Sequence, residues 1–406
     1  MTLRFVSAFS EKEWLDDAIQ EACEQILSEI SGEISFCVFF ASGFPSVLCF
    51  ENFGRISSLL NAKHVIGCNA EGVVHDGCEY EGSKNLTILA ASADTVSVDT
   101  FHLKYAKTVD GTAFTGWPDR LTGPWPDGSA LLVLADPMTF PTDILLHRLN
   151  QDHPGLPVFG GMCSGAFGNE SFVGDPRQKS LSVISVGADC FRDGAVFMRL
   201  SGVQIRGIVS QGCRPIGEPM VITDCERNEI LELGGKSPVQ QLESLFRQLP
   251  ARDQQAFQSG LHLGRAITEY RESFGYGDFL IRNLTNIDQD SGVIAANEYF
   301  RKGQTIQFHI RDQASADADL SQLSRRMEKQ LEQAGEKPLA AISFLCNGRG
   351  LNLFDSPNHD MSLLQEKLGP VPAAGFFAAG EIGPVEGENH VHGFTFASAI
   401  FSQKSS

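Results

Sequence analysis

Three short stretches set polar side chains beside paired glycines at the end of an apolar run. VIGCNAEGVV (65–74) carries Asn69 and Glu71, VFGGMCSGAF (158–167) carries Cys163 and Ser164, and PAAGFFAAGEIGP (372–384) carries Glu381. In each, two glycines lie five apart: Gly67 and Gly72, Gly160 and Gly165, Gly375 and Gly380. Glycine lets backbone N–H groups approach a ligand closely, and strand ends are where α/β proteins place their sites. Further polar groups fall at similar positions: Gln211 and Arg214 in the middle of the chain, then Asn347, Arg349, Asn358 and Asp360. An arginine fork clamps a carboxylate and a glutamate accepts an ammonium. Arg214 or Arg349 with Glu71 or Glu381 would therefore suit a zwitterion such as an amino acid. The same groups could instead cap strand ends and satisfy buried backbone, and both readings stay open for each residue.

Other chemistries fit less well. Two glycines five apart match the opening of a phosphate-binding loop, but Val73, Ala166 and Glu381 stand where Lys-Ser or Lys-Thr is needed, and a carboxylate there repels phosphates. The NGRGLN stretch after a strand lacks the third glycine of a dinucleotide fingerprint. Gly161-Met-Cys-Ser-Gly165 resembles a nucleophile elbow around Cys163, yet AFGNESFVGDPRQ follows, where an elbow needs a helix. His153 is the imidazole nearest to Cys163 in sequence. His390 and His392 alternate on a strand downstream of Glu381, Glu386 and Glu388, a set that could hold a divalent ion or simply line a solvated loop. Neither a catalytic residue nor a metal ligand is assigned, and no cofactor is expected.

The elements that must position these residues repeat. The first unit reads as strand ISFCVFF, a helix around FGRISSLL, strand HVIGC, the glycine turn, and strand LTILAAS (86–92). The second reads as ALLVLAD (130–136), TDILLHRLNQ, LPVFGG, the turn, and LSVISVG (181–187). The third reads as LAAISFLCNG (339–348), MSLLQEKLG, VPAAGFF, the turn, and GFTFASAIF (393–401). Such self-similarity marks a repeated supersecondary unit. The crossover between parallel strands should be right-handed, and the last strand of each unit should return antiparallel, giving mixed sheets. Ser10 to Glu13 has capping-box spacing before an amphipathic helix that ends near Gly32. Ser237-Pro238 opens another helix, residues 278–312 read as hairpins, and 315–335 as a helix. The expected fold is α/β, with mixed sheets in two pseudo-related domains, possible sheet-on-sheet layering and outer helices. The boundary is placed near residue 220, giving domains 1–220 and 221–406.

Composition narrows the partners. The chain has 406 residues and a net charge of -18, which disfavours nucleic acid and anionic membrane surfaces. Its ten cysteines are scattered singletons without a CxxC pair, many within apolar runs, as in a reducing compartment. The N-terminus has no signal-peptide core, and no apolar run approaches membrane-spanning length. A cytoplasmic protein is expected.

VIGCNAEGVV, GGMCSGA, VSQGCRPIGEPMVIT with ILELGGKSPVQQLE, FLCNGRGLNLFDSPNHD and GFFAAGEIGPVEG together resemble the FIST family, with an N-terminal and a C-terminal FIST domain over roughly residues 30–400. The resemblance implies a sensory module that binds small ligands, amino acids among them, and serves signal transduction. No length is left here for a fused output domain, so a signal would pass to a separate signalling protein. Three readings follow: a ligand-binding sensor, an interaction scaffold without a small ligand, and an enzyme acting on a small metabolite through Cys163 or a His/Glu set.

Overall fold

The computed structural model describes residues 3–93, 95–109, 111–121, 123, 125–165, 181–270, 274 and 277–404. The AFGNESFVGDPRQ stretch lies outside them from Ala166 onward. The chain forms two compact units, one of Met1–Val209 with Leu323–Ser406 and one of Ser210–Gln322.

The discontinuous unit contains all three repeats, and each builds its sheet along the same path. In the first, strand Phe36–Ser42 runs parallel to Val65–Ala70 and antiparallel to the returning strand Asn85–Ser92. In the second, Ala130–Ala135 is parallel to Val158–Met162 and antiparallel to Ala195–Ser201. In the third, Glu336–Cys346 is parallel to Ala373–Ala378 and antiparallel to Phe396–Lys404. A preceding strand flanks each return: Arg4–Ser10, Ser97–Thr108 and Gln204–Ser210 respectively. The α/β class, the mixed sheets and the antiparallel return are as expected.

One expectation changes. LSVISVG is not the second unit's return, because Ala195–Ser201 takes that place. Ile184–Val186 instead forms a hairpin with Asp189–Phe191, and similar hairpins follow the other two turns: Gly72–His75 with Cys78–Glu81, and Glu381–Val385 with Glu388–His392. Each hairpin leaves its own sheet and extends another. The first joins the third unit (Gly375↔Val74), the second joins the first (Gly67↔Ser185), and the third joins the second (Gly161↔Glu381). The exchange is cyclic.

The paired glycines follow from this exchange. A Cβ on the first glycine would overlap the unit's own leading strand: the Phe39 ring at Gly67, the Val133 carbonyl at Gly160, the Ser343 carbonyl at Gly375. A Cβ on the second would meet the neighbouring unit: the Phe377 ring 2.8 Å from Gly72 (beside the Tyr80 carbonyl of its own hairpin at 2.7 Å), the Asn69 amide at Gly165, the Met162 sulfur 3.1 Å from Gly380. The spacing of five is the distance along the strand between those two close approaches.

The leading strands are apolar on both faces because both are buried. Phe36, Val38 and Phe40 point into a core shared by the three sheets, where Phe40 lies 4.9 Å from Phe376. Their neighbours Cys37, Phe39 and Ala41 pack beneath the helices Leu15–Glu29, Ser46–Asn52 and Gly54–Leu60. The same alternation separates Leu132 and Leu134 from Leu131 and Val133. Helix Leu15–Glu29 begins after Trp14 without a side-chain cap, and Ser10 donates instead to Glu21 Oε2 at 2.6 Å.

The Ser210–Gln322 unit interrupts the third repeat in sequence. Its six strands close into a barrel whose apolar cluster includes Ile216, Ile222, Leu263, Ile306 and Phe308. Helix Pro238–Gln248 adds Val239 and Leu242, and starts with proline in its first turn as expected.

Candidate functional site

The three glycine turns converge within the discontinuous unit. Ser164 connects all three: its Oγ accepts the Glu71 N–H at 2.9 Å and donates to the Phe377 carbonyl. Met162 and the third turn exchange backbone bonds, Met162 N to Gly380 O at 2.7 Å and Ala379 N to Met162 O at 2.9 Å. Asn69 joins the first unit to the second, its Oδ1 accepting from Val183 N at 2.7 Å and its Nδ2 donating to Leu181 O at 3.2 Å. Ser164 thus ties Glu71 to the Phe377 carbonyl, next to the Met162 bonds to residues 379–380 and the Asn69 bonds to 181–183.

Their side chains differ in what remains available. Asn69 and Ser164 are buried and engaged by backbone. Cys163 is fully buried next to Cys68, and burial followed by the contact with Cys68 pushes its thiol well above the ordinary value. That is the reverse of what activates a nucleophilic thiolate. His153 stacks on Trp125 at 4.5 Å. Glu381 is fully buried and its Oε2 accepts the Thr395 N–H at 3.0 Å. Glu71 is half-buried, and burial raises its carboxyl above the ordinary value. Among the described residues no basic side chain forms an ion pair with Glu71.

Arg349 and Asn358 belong to a second cluster in the same unit. Arg349 is wholly buried and directs its fork at Asp360, Nε to Oδ2 at 2.6 Å and Nη2 to Oδ1 at 2.8 Å. Burial pushes the Asp360 carboxyl up, but Arg349 and then His359 outweigh it and hold the carboxyl below its ordinary value. Asn358, at φ 65°, precedes helix His359–Leu368 and accepts the Glu79 N–H at 2.7 Å. Asn347 lies between the two clusters, its N–H on the Ala378 carbonyl at 3.0 Å and its buried Oδ1 without a hydrogen-bond partner among the described residues. The carboxylate clamp expected of Arg349 thus holds an internal carboxylate.

Gln211 and Arg214 belong to the barrel unit. Gln211 bridges Phe279 O at 2.6 Å and Ile281 N at 2.9 Å, completing the end of a strand. Arg214 pairs with Asp253 and lies 3.6 Å from Asp312, so its fork is likewise occupied. His390 and His392 have ring centroids 6.1 Å apart, and the His392 Nε2 bonds to Gly383 O at 3.0 Å. Among the described residues no three His, Cys, Asp or Glu side chains converge as a metal site.

Glu79 and Glu81 escaped the reading of the sequence. Both lie on the hairpin strand Cys78–Glu81 and accept backbone N–H groups of the third unit, Glu79 from Met361 and Glu81 from Leu351, each at 2.9 Å. Two acids separated by one residue would reveal a shared strand face, but nothing local says which sheet that strand joins.

Comparison with known proteins identifies the family. The FIST N domain matches residues 35–236 and the FIST C domain residues 241–384. The chain belongs to the FIST family. FIST domains are associated with sensory roles in signal transduction. An uncharacterised protein of Mycobacterium tuberculosis is 34% identical over 385 residues, covering 95% of this chain and 96% of its own. An uncharacterised protein of Mycobacterium bovis is also 34% identical over 385 residues, with 95% of each chain covered. All ten cysteines of this FIST protein are free, and among the described residues no helix is long and apolar enough to cross a membrane.

Proposed function

We propose that this FIST protein is a cytoplasmic sensor that binds an amino acid or a related amine-bearing metabolite at the junction of the three glycine turns. It passes occupancy to a separate signalling protein. The observation that carries this reading is Glu71. Its backbone is fixed by Ser164, its carboxylate is half-buried, and no described basic residue neutralises it. An ammonium group delivered there gains a charge-assisted hydrogen bond in a partly desolvated setting. Sensing then requires only that the ligand prefer one arrangement of the turns over another.

Thermal melting against free amino acids, small carboxylates, amines, nucleotides and divalent metals tests the proposal. A ligand at a hundred times its dissociation constant stabilises the native state by about 2.7 kcal/mol. The expected result is a shift with amine-bearing compounds that disappears in Glu71→Gln. A shift that survives Glu71→Gln would move the site elsewhere. Silence across the panel would favour the scaffold reading, which the packing of the six glycines also supports.

A further inference from the structure

The hairpin that follows the first turn carries acid into the third unit. Glu79 is 7% exposed, its Oε1 held by Met361 N at the start of helix His359–Leu368. Its Oε2 is buried and has no hydrogen-bond partner among the described residues. Asp360, fully buried, faces Glu79 from the helix, and Arg349 faces it from the 349–352 turn. His359 serves Asp360, its Nδ1 3.1 Å from Oδ1, and stacks on Phe354. Glu81 lies two residues along the hairpin on the Leu351 N–H, while Lys367 and Glu366 pair with each other farther along the helix. At the hairpin turn, Asp76 accepts from Ser7 Oγ and Ala373 N, and His75 faces Asp76 and Thr87. Two buried carboxyls thus lie near one guanidinium whose fork is on Asp360, and the Glu79 Oε2 meets no hydrogen-bond partner among the described residues. A buried ionised carboxylate in that position is expensive, and a proton on Oε2 removes the excess charge.

We propose that the hairpin formed by Gly72–His75 and Cys78–Glu81 is a pH-responsive clasp, closed on the third unit while Glu79 is protonated and loosened when Glu79 ionises. Burial first, then the Asp360 charge, raises the Glu79 carboxyl from 4.5 to about 7, against the pull of the Met361 and Asp360 N–H groups and Arg349. The closed state therefore binds a proton that the open state releases. Docking is strongest below about pH 4.5, weakens as pH rises to about 7, and levels off above it. Glu71 stands at the base of this hairpin, so the clasp governs the crossing at which it is held. This inference goes beyond the ligand reading and does not depend on it.

Hydrogen exchange at the Met361 and Glu79 amides of the full chain, corrected for intrinsic rates, is the test. In the unmutated protein, opening should rise by up to about tenfold per pH unit between about pH 5 and 7, then flatten. In Glu79→Gln, whose neutral amide occupies the same space, opening should be independent of pH. An unmutated profile without that rise, or one that Glu79→Gln reproduces, overturns the clasp. Should Glu79→Gln fail to fold, carbon NMR of the Glu79 carboxyl in the unmutated chain decides. A midpoint near 7 supports the clasp, and one near 4.5 overturns it.

Discussion

The first and third glycine turns carry a glutamate next to the second glycine, and the two glutamates meet different fates. Glu381 follows Gly380 and is shut inside the sheet, with Thr395 N on its Oε2. Glu71 precedes Gly72 and stays half-buried, with its backbone tied down by Ser164. The glycines of both turns do the same mechanical work, admitting a leading strand at one position and a neighbouring unit at the other. The repeat therefore concerns geometry, and the polar groups beside it are specific to each turn. A motif that recurs three times need not mark three sites.

Of the third pair, Gly375 should be the harder to change. Gly375→Val puts side-chain atoms on the Ser343 carbonyl, and backbone cannot step aside. A loss of more than about 3 kcal/mol, at the upper end of overpacking costs, should appear in denaturant melts. Gly380→Ala meets side-chain atoms alone, the Met162 sulfur at 3.1 Å and Val391 Cγ1 at 3.5 Å, and should cost less than about 1.5 kcal/mol. Equal losses would break the distinction between the two glycines of a pair.

Next in size is Arg349→Ala. Because Arg349 and Asp360 are both fully buried, removing the guanidinium strands a carboxylate in the interior, at about 3 to 5 kcal/mol. A ligand clamp on the surface would show a binding defect with little loss of stability. Acid should act in the same direction. The Asp360 carboxyl lies below its ordinary value, so the stability it contributes is present above that value and is lost as pH falls through the native one. Glu79 works oppositely, losing its contribution as pH rises from about 4.5 to 7. A melting profile with an acid limb sensitive to Arg349 and a neutral limb sensitive to Glu79 would separate the two.

Ser164→Ala is a smaller change. It removes the acceptor of the Glu71 N–H and the donor to Phe377 O in a fully buried place, so about 1 to 3 kcal/mol should go. Ligand response should fall with it, since Glu71 loses its anchor. Unchanged melting would mean that the backbone bonds between Met162 and residues 379–380 hold the junction alone.

Much of this architecture was legible beforehand. The leading and second strands of each unit announce themselves as short apolar runs such as ALLVLA, and the helix between them forces a parallel crossover. The hairpin exchange was not legible. Gly72–His75 and Cys78–Glu81 are four-residue strands short enough to pair with any open edge, and the choice of edge is made by contacts hundreds of residues away, such as Gly375 with Val74. The same holds for the arginines. Spacing marks Arg349 as a cation near a strand end, but only the fold sets Asp360 against it, eleven residues on and across a turn.

The smallest effect on stability is expected at Glu71→Gln, and it is the most informative for function. The side chain makes no described ion pair, and the backbone bond to Ser164 survives the substitution. Melting without ligand should shift by less than about 0.5 kcal/mol, upward at high pH, because burial raises the Glu71 carboxyl and its ionised form is the disfavoured one. Glu381→Gln offers the contrast, since it alters a wholly buried group bonded to Thr395 and should lower stability whether or not ligand is present. If Glu71→Gln abolishes the amine-dependent shift while folding normally, the first turn is where geometry was turned to binding. If Glu71→Gln destabilises as much as Glu381→Gln, both carboxylates hold the fold, and the contrast between the two turns falls with the ligand site.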